Sequence, residues 1–156
     1  MKKIIIIKYG ELSTKKDNKN YFISKLKDNI EITLKGINHN TYYDFGRMFV
    51  ETEDIDEVIN HLKNVFGIQG MFIGYTSNKT DLEDIKEEIL ELVKDKEFKT
   101  FKVITKRSNK KYPVNSMDVS RIIGGHILKN IKCMVDVHNP DLEVNIEIRN
   151  DEILYY

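Results

Sequence analysis

From Lys3 to Tyr9 the chain reads Lys-Ile-Ile-Ile-Ile-Lys-Tyr, and Gly10 comes directly after. Cβ-branched residues are stiff at χ1 and fit an extended, pleated backbone. An apolar run of this length halted by glycine therefore reads as a buried strand that leaves its sheet through a turn. A buried strand needs a covering element. From about Asn18, the spacing of Phe22, Leu26, Ile30 and Leu34 puts apolar side chains on one helical face, and Gly36 supplies a C-terminal stop.

Two short strands come next, Tyr42–Phe45 and Met48–Glu51, joined through Gly46-Arg47 in a hairpin whose turn type the sequence leaves open. Asp54 offers a helix cap with Glu57 three residues on, and Ile55, Val58, Ile59, Leu62, Val65 and Phe66 form an apolar face before Gly67. Gly70–Tyr75 closes the set as a last strand. The order βαββαβ over residues 1–75 is the split βαβ pattern of ferredoxin-like folds.

A polar stretch marks a boundary near residue 76, and residues 76–156 read as a separate α/β unit. Thr80-Asp81-Leu82-Glu83 has the form of a capping box, ahead of a helix that turns Leu82, Ile85, Ile89, Leu92 and Val93 inward. Then come a strand at Phe101–Thr105, a polar loop Ser108–Asn115 containing Pro113, and a helix from Ser116 to about Asn130. Strands at Cys133–Val137 and Glu143–Arg149 flank a turn at Asn139-Pro140-Asp141. Ile153-Leu154-Tyr155-Tyr156 has strand composition with no polar tail behind it, so the final strand of this unit reads as cut short.

The formal charge of zero hides an uneven distribution. Asp81–Glu97 carries eight acidic residues, whereas Lys99–Lys111 carries six basic residues and no acidic one. In the second segment Lys106, Arg107, Lys110 and Lys111 lie between a strand and a helix start. Helix N-termini present unpaired N–H groups and partial positive charge, so basic residues beside one point to an anion site, with phosphate the natural ligand. The first half repeats the arrangement with Lys8 at a strand end and Lys15, Lys16 and Lys19 around the next helix entry. Two such loops suit one phosphodiester backbone. Tyr9 and Tyr112 sit beside them, as stacking platforms for unpaired bases or as tyrosines at the edge of the core.

Other chemistry is not visible. No glycine-rich nucleotide loop, no Gly-x-Ser-x-Gly elbow and no His or Cys pair at metal-ligand spacing occurs. Cys133 is the sole cysteine, which excludes an internal disulfide and fits a reduced, cytoplasmic setting; as a residue in a strand it is expected to be a buried, inert thiol. No apolar run reaches the roughly 20 residues that a membrane span needs. Gly124-Gly125 inside a helix costs about 1 kcal/mol per glycine. Close helix packing is the expected reason, with the approach of a nucleic acid backbone as the other.

The stretch KYGELSTKKDNKNYF resembles the opening motif of tRNA 4-thiouridine synthetases, a family also tied to thiamine biosynthesis. Tyr9, Gly10, Glu11, Lys15, Asn18 and Phe22 fall where that motif has them, Lys19 stands where arginine is usual, and Lys16 replaces a usual glycine. VFGIQG is similar to a further segment of the family, and FKVITKRSNKKYP, the Ser116 helix with Gly124, and VDVHNPDLEVNIEIR resemble its THUMP domain, with Tyr112 where phenylalanine is usual.

The resemblance implies a ferredoxin-like domain and a THUMP domain that together hold the acceptor arm and 3′ end of tRNA. A later catalytic domain, with a Ser-Gly-Gly-x-Asp-Ser loop not found in this sequence, would use ATP and Mg to activate uridine eight. Sulfur would come from a partner cysteine desulfurase, and the family's reactive cysteines lie beyond residue 156, so Cys133 does not inherit their role. No cofactor and no catalytic residue is then expected in this chain. The rival expectation is a ferredoxin-like regulatory or protein-interaction module, paired as a homodimer and without RNA binding.

Overall fold

The computed structural model of the chain describes residues 1–10, 16–44 and 46–156, with the side chains of residues 16 and 17 left undescribed. It divides into two units, Lys3–Gly74 and Tyr75–Tyr156, the latter also taking in Met1 and Lys2.

The first unit runs β1 (Lys2–Tyr9), α1 (Lys16–Thr33), β2 (Asn40–Asp44), β3 (Arg47–Glu51), α2 (Ile55–Leu62) and β4 (Ile68–Ser77). Its strands lie in the order β2-β3-β1-β4, the order in which two interleaved βαβ halves place β1 and β3 at the centre. Ile4 to Ile7 are each no more than 1% exposed. Alternation along β1 sends Ile5 and Ile7 to one side, where they meet Ile23, Leu26, Ile30 and Leu34 from the α1 segment and Val58 and Leu62 from α2. Each such side chain contributes about 1.5–3 kcal/mol on leaving water, and that burial is what holds helix to sheet.

The hairpin pairs Asp44 with Arg47 across its end, and Gly46 between them takes φ +77°. Phe45 lies outside the described residues. Gly67 has φ +97°, and a Cβ there would come within 3.0 Å of Phe22 Cζ, so the turn after α2 is reserved for glycine on two grounds.

The second unit adds α3 (Leu82–Val93), β5 (Thr100–Arg107), α4 (Ser116–Asn130), β6 (Met134–Val135), β7 (Leu142–Ile148) and β8 (Ile153–Tyr155). From the end of β4 its strands run β4-β8-β7-β5-β6. β5 and β7 are parallel from Phe101↔Leu142 to Arg107↔Ile148, and β8 is antiparallel to both β7 and β4. Ile153–Tyr155 is thus an interior strand, fully buried. Ile85, Ile89 and Val93 from α3 and Val119, Ile123 and Ile127 from α4 close the core over Phe101, Ile146 and Tyr155. A polar link joins α3 to the sheet: Glu88 Oε1 accepts from Ser77 Oγ at 2.8 Å and from the Tyr155 hydroxyl at 3.1 Å.

Four local expectations are corrected. Asp54 occupies the N-cap of α2 without a capping side-chain bond; its own N–H donates to Thr52 Oγ1 at 3.1 Å. The cap of α3 is Asp81, not Thr80, and Glu83, expected to close a capping box, instead binds Lys86 Nζ at 2.8 Å. Phe66 falls past the end of α2 and is 89% exposed. The strand expected over Cys133–Val137 shrinks to two residues because Asp136 Oδ1 accepts from the N–H groups of His138 and Asn139, a side-chain turn that competes with the ladder. No described helix is long and apolar enough to cross a membrane.

Candidate nucleic-acid interface

The crossing from β5 to α4 is a loop tied at every turn. Parallel pairing brings Arg107 level with Ile148, and the Ile148 carbonyl accepts from Ser108 N at 3.0 Å, Asn109 N at 3.3 Å and Ser108 Oγ at 3.2 Å. Asn109 then turns the chain: its Oδ1 accepts from Lys111 N at 3.0 Å and its carbonyl from Tyr112 N at 3.2 Å. The Tyr112 hydroxyl donates to the Thr80 carbonyl at 2.6 Å while its ring packs on the core. Burial, with the nearby Asp81 charge, pushes that phenol above its ordinary pKa.

Arg107 reaches across this loop, its Nη1 donating to the Tyr112 carbonyl at 2.8 Å and the Val114 carbonyl at 3.2 Å. Strand alternation explains the reach. Phe101, Val103 and Thr105 face the helices, Thr105 Oγ1 lying 2.8 Å from Ser120 Oγ of α4, and Arg107 continues that side. Lys102 and Lys106 take the other side, where Lys102 pairs with Glu143 at 3.4 Å. The sequence cluster is therefore split. Lys110 and Lys111 share the loop with Arg107 and Tyr112, whereas Lys106 faces away. Lys106, Lys110 and Lys111 are exposed, and none of their ammonium groups has a carboxylate partner among the described residues. An unpaired, hydrated cation is the kind that a phosphate can take without first breaking an ion pair.

Sequence reasoning did not identify the cap of α4. Asn115 Oδ1 accepts from Asp118 N at 2.9 Å, and Asn115 Nδ2 donates to Asp118 Oδ2 at 2.9 Å. The signal was present, since Asn followed three residues later by an acid marks a helix start. The cap has a consequence. Asp118 brings a carboxylate into the first turn of α4, so the expected pull of the helix dipole on an anion is partly offset internally, and the cationic character of this crossing rests on its lysines.

In the first unit Lys8 and Lys19 are exposed, and Lys8 lies on the side of β1 opposite Ile7 and Tyr9. Lys15 and Glu11 lie outside the described residues. Tyr9 donates to the Gly46 carbonyl at 2.8 Å, and its ring meets Phe22 at 6.3 Å between centroids. Burial, then the Tyr43 hydroxyl, pushes its phenol well above the ordinary range. Tyr112 thus holds its own loop, whereas Tyr9 holds the β2–β3 hairpin.

Cys133, expected buried in a strand, instead precedes β6 and is half-buried; its Sγ donates to the Ile131 carbonyl at 3.4 Å, and the partial burial raises its pKa, the reverse of what a thiolate nucleophile needs. The expected packing reason for the paired glycines is not met. A Cβ on Gly124 would sit 4.0 Å from Phe101 Cε2, an ordinary contact, and one on Gly125 would meet nothing within 4 Å.

Residues 4–71 match the family described as the ThiI ferredoxin-like domain and residues 79–156 match the THUMP domain. Proteins named probable tRNA sulfurtransferase are similar throughout: that of Thermoanaerobacter pseudethanolicus is 48% identical and that of Clostridium perfringens 42% identical, each over 99% of this chain. The chain spans 41% of the length of these curated relatives. Among solved structures, a 4-thiouridine synthetase in complex with RNA and bound ATP aligns over 100% of this chain and 41% of its own, with TM-score 0.82 and 28% identity. PH1313 from Pyrococcus horikoshii aligns over 99% of this chain and 53% of its own, with TM-score 0.80 and 29% identity. The resemblance carried by the opening motif is borne out: the chain belongs to the THUMP family, in the form that follows a ThiI ferredoxin-like domain and is shared with the tRNA sulfurtransferases.

Proposed function

We propose that this chain is the tRNA-binding module of a 4-thiouridine synthetase, with residues 1–75 and 76–156 as its ferredoxin-like and THUMP domains. It docks the acceptor arm and 3′ end so that uridine eight reaches a catalytic domain outside this sequence. The activation chemistry, its ATP and Mg, and the cysteine desulfurase that supplies sulfur belong to that domain and to the intact protein in the cytoplasm. The role of this chain is placement.

One observation carries the reading: Lys110 and Lys111 stand exposed and without carboxylate partners among the described residues, on a loop held rigid by at least eight hydrogen bonds. A preordered cationic loop loses little entropy on meeting a phosphate. It is supported by the likeness over the whole chain to a synthetase solved with RNA. Lys8, Lys19 and Lys106 are further phosphate contacts in this reading, and Lys15 a further one from the opening motif. Tyr112 supports its loop and Tyr9 the β2–β3 hairpin, and both offer the bases only their exposed edges.

A mobility-shift assay of the chain with unmodified tRNA, run beside gel filtration, separates this from a regulatory module. Retarded tRNA at low salt, released as salt rises, supports docking. A dimer that leaves tRNA unretarded at every salt concentration excludes it.

A further inference from the structure

The geometry points to Arg107 as a positioning residue for RNA, one that acts through Lys110 and Lys111 without itself touching phosphate; this rests on the tRNA-docking reading above. An arginine in a basic cluster ordinarily reads as a phosphate fork. Here one arm of the fork, Nη1, is turned inward and committed to the loop. Arg107 ends β5 on the helix-covered side, and a single nitrogen, Nη1, spans the Tyr112 and Val114 carbonyls at 2.8 and 3.2 Å. Those two carbonyls bracket Pro113, which has no N–H to contribute to the loop's own bonding. Arg107 therefore supplies from a side chain the donors that the backbone lacks at this point.

The far side of the loop is fixed independently. Ile148 accepts from residues 108 and 109, and Tyr112 is pinned to Thr80 at 2.6 Å. Lys110 and Lys111 are the residues strung between the two anchorages, and both are exposed. Loss of the arginine would leave the Ile148 end and the Tyr112 hydroxyl tied but free the Tyr112 and Val114 carbonyls, so the backbone between them and the lysines before it would loosen. The lysines would keep their charge and lose their common direction.

This division of labour separates the two effects that salt titration reads. A phosphate contact contributes to the slope of log affinity against log salt, about 0.7–0.9 for each one. The cost of ordering a loosened loop is the same at every salt concentration. For Arg107→Met the expected result is a tRNA affinity about tenfold lower, with a salt slope parallel to wild type, and little further loss when Lys110→Ala and Lys111→Ala are already present. Amide exchange at residues 110–115 of the free chain should accelerate, while exchange in β7 and α3 stays at the wild-type rate.

A slope lowered by about one contact, or losses that simply add to those of the lysine variants, assigns Arg107 to phosphate directly and overturns the inference. Unchanged exchange at 110–115 overturns it as well. The exchange experiment needs no RNA, so a wild-type chain that binds no tRNA would remove the docking reading while the clasp itself was still judged.

Discussion

Asp141 and Thr100 bind each other in both directions across the start of β5. Asp141 Oδ2 accepts from Thr100 N at 3.2 Å, and Thr100 Oγ1 accepts from Asp141 N at 2.9 Å, with Lys99 N adding a further bond to Oδ2 at 2.9 Å. This carboxylate sets the register of the parallel β5–β7 pair, which has no hairpin to fix it. The Lys99 and then the Thr100 N–H hold its pKa below the ordinary aspartate value. A depressed folded-state pKa gives stability that is present above the unfolded value and is lost as pH falls through the folded one. Asp141→Asn should lower the unfolding temperature at neutral pH and narrow its gap to wild type as the buffer is acidified below the aspartate range. Thermal melts over that range check it, and a gap that is constant with pH contradicts it.

His39 is expected to hold its proton to higher pH than a free imidazole. Its Nδ1 faces the Ile37 carbonyl at 2.6 Å and its Nε2 the Glu31 carboxylate at 2.8 Å, two acceptors that only the imidazolium satisfies together. Burial opposes the charge, yet the Ile37 carbonyl and then Glu31 offset it and raise the pKa. The sign is opposite to that of Asp141: the stabilisation is complete below the unfolded histidine pKa and fades as pH climbs through the folded value. Melts of wild type and His39→Gln between about pH 5.5 and about pH 8.5 should converge at the alkaline end. Convergence at the acid end contradicts the assignment.

Tyr112→Phe deletes one hydroxyl and leaves the Thr80 carbonyl without its 2.6 Å donor. The expected loss is about 1 kcal/mol by chemical denaturation, with the folded baseline unchanged. Any loss of tRNA affinity should leave the salt slope parallel to wild type, because the hydroxyl bonds inward and meets no phosphate.

Gly125→Ala should stabilise the chain by about 0.5–1 kcal/mol, since α4 gains helix propensity and the new methyl meets nothing within 4 Å. Binding of tRNA by this variant separates the two explanations of the glycine pair. Unchanged affinity means that no RNA backbone approaches that face, and a selective loss of affinity in a more stable protein means that one does.

Much of the fold was legible in the sequence because local patterns and global packing agree. Ile4–Ile7, the face of Phe22, Leu26, Ile30 and Leu34, and the helix from Ser116 to Asn130 all appear where periodicity placed them. Most of the misses are local polar competitions, with Asp54 N–H going to Thr52, Glu83 to Lys86 and Asp136 to the N–H groups of His138 and Asn139; one turns on a partner distant in sequence. Thr80 could not be recognised as the acceptor of Tyr112, thirty-two residues away, and so looked free to cap α3. The candidate site was legible as a charge cluster but not as geometry. Strand alternation sends Lys106 and Arg107 to opposite sides, and the two carbonyls that claim Arg107 appear only once the loop is folded.

The most direct test of RNA docking is the salt dependence of tRNA binding by the chain carrying Lys110→Ala and Lys111→Ala, measured beside wild type. Loss of two phosphate contacts should reduce the magnitude of the log–log slope by about 1.5 and bring the two binding curves together at high salt. Identical slopes and affinities for the two proteins would contradict the proposal that this loop holds the RNA backbone.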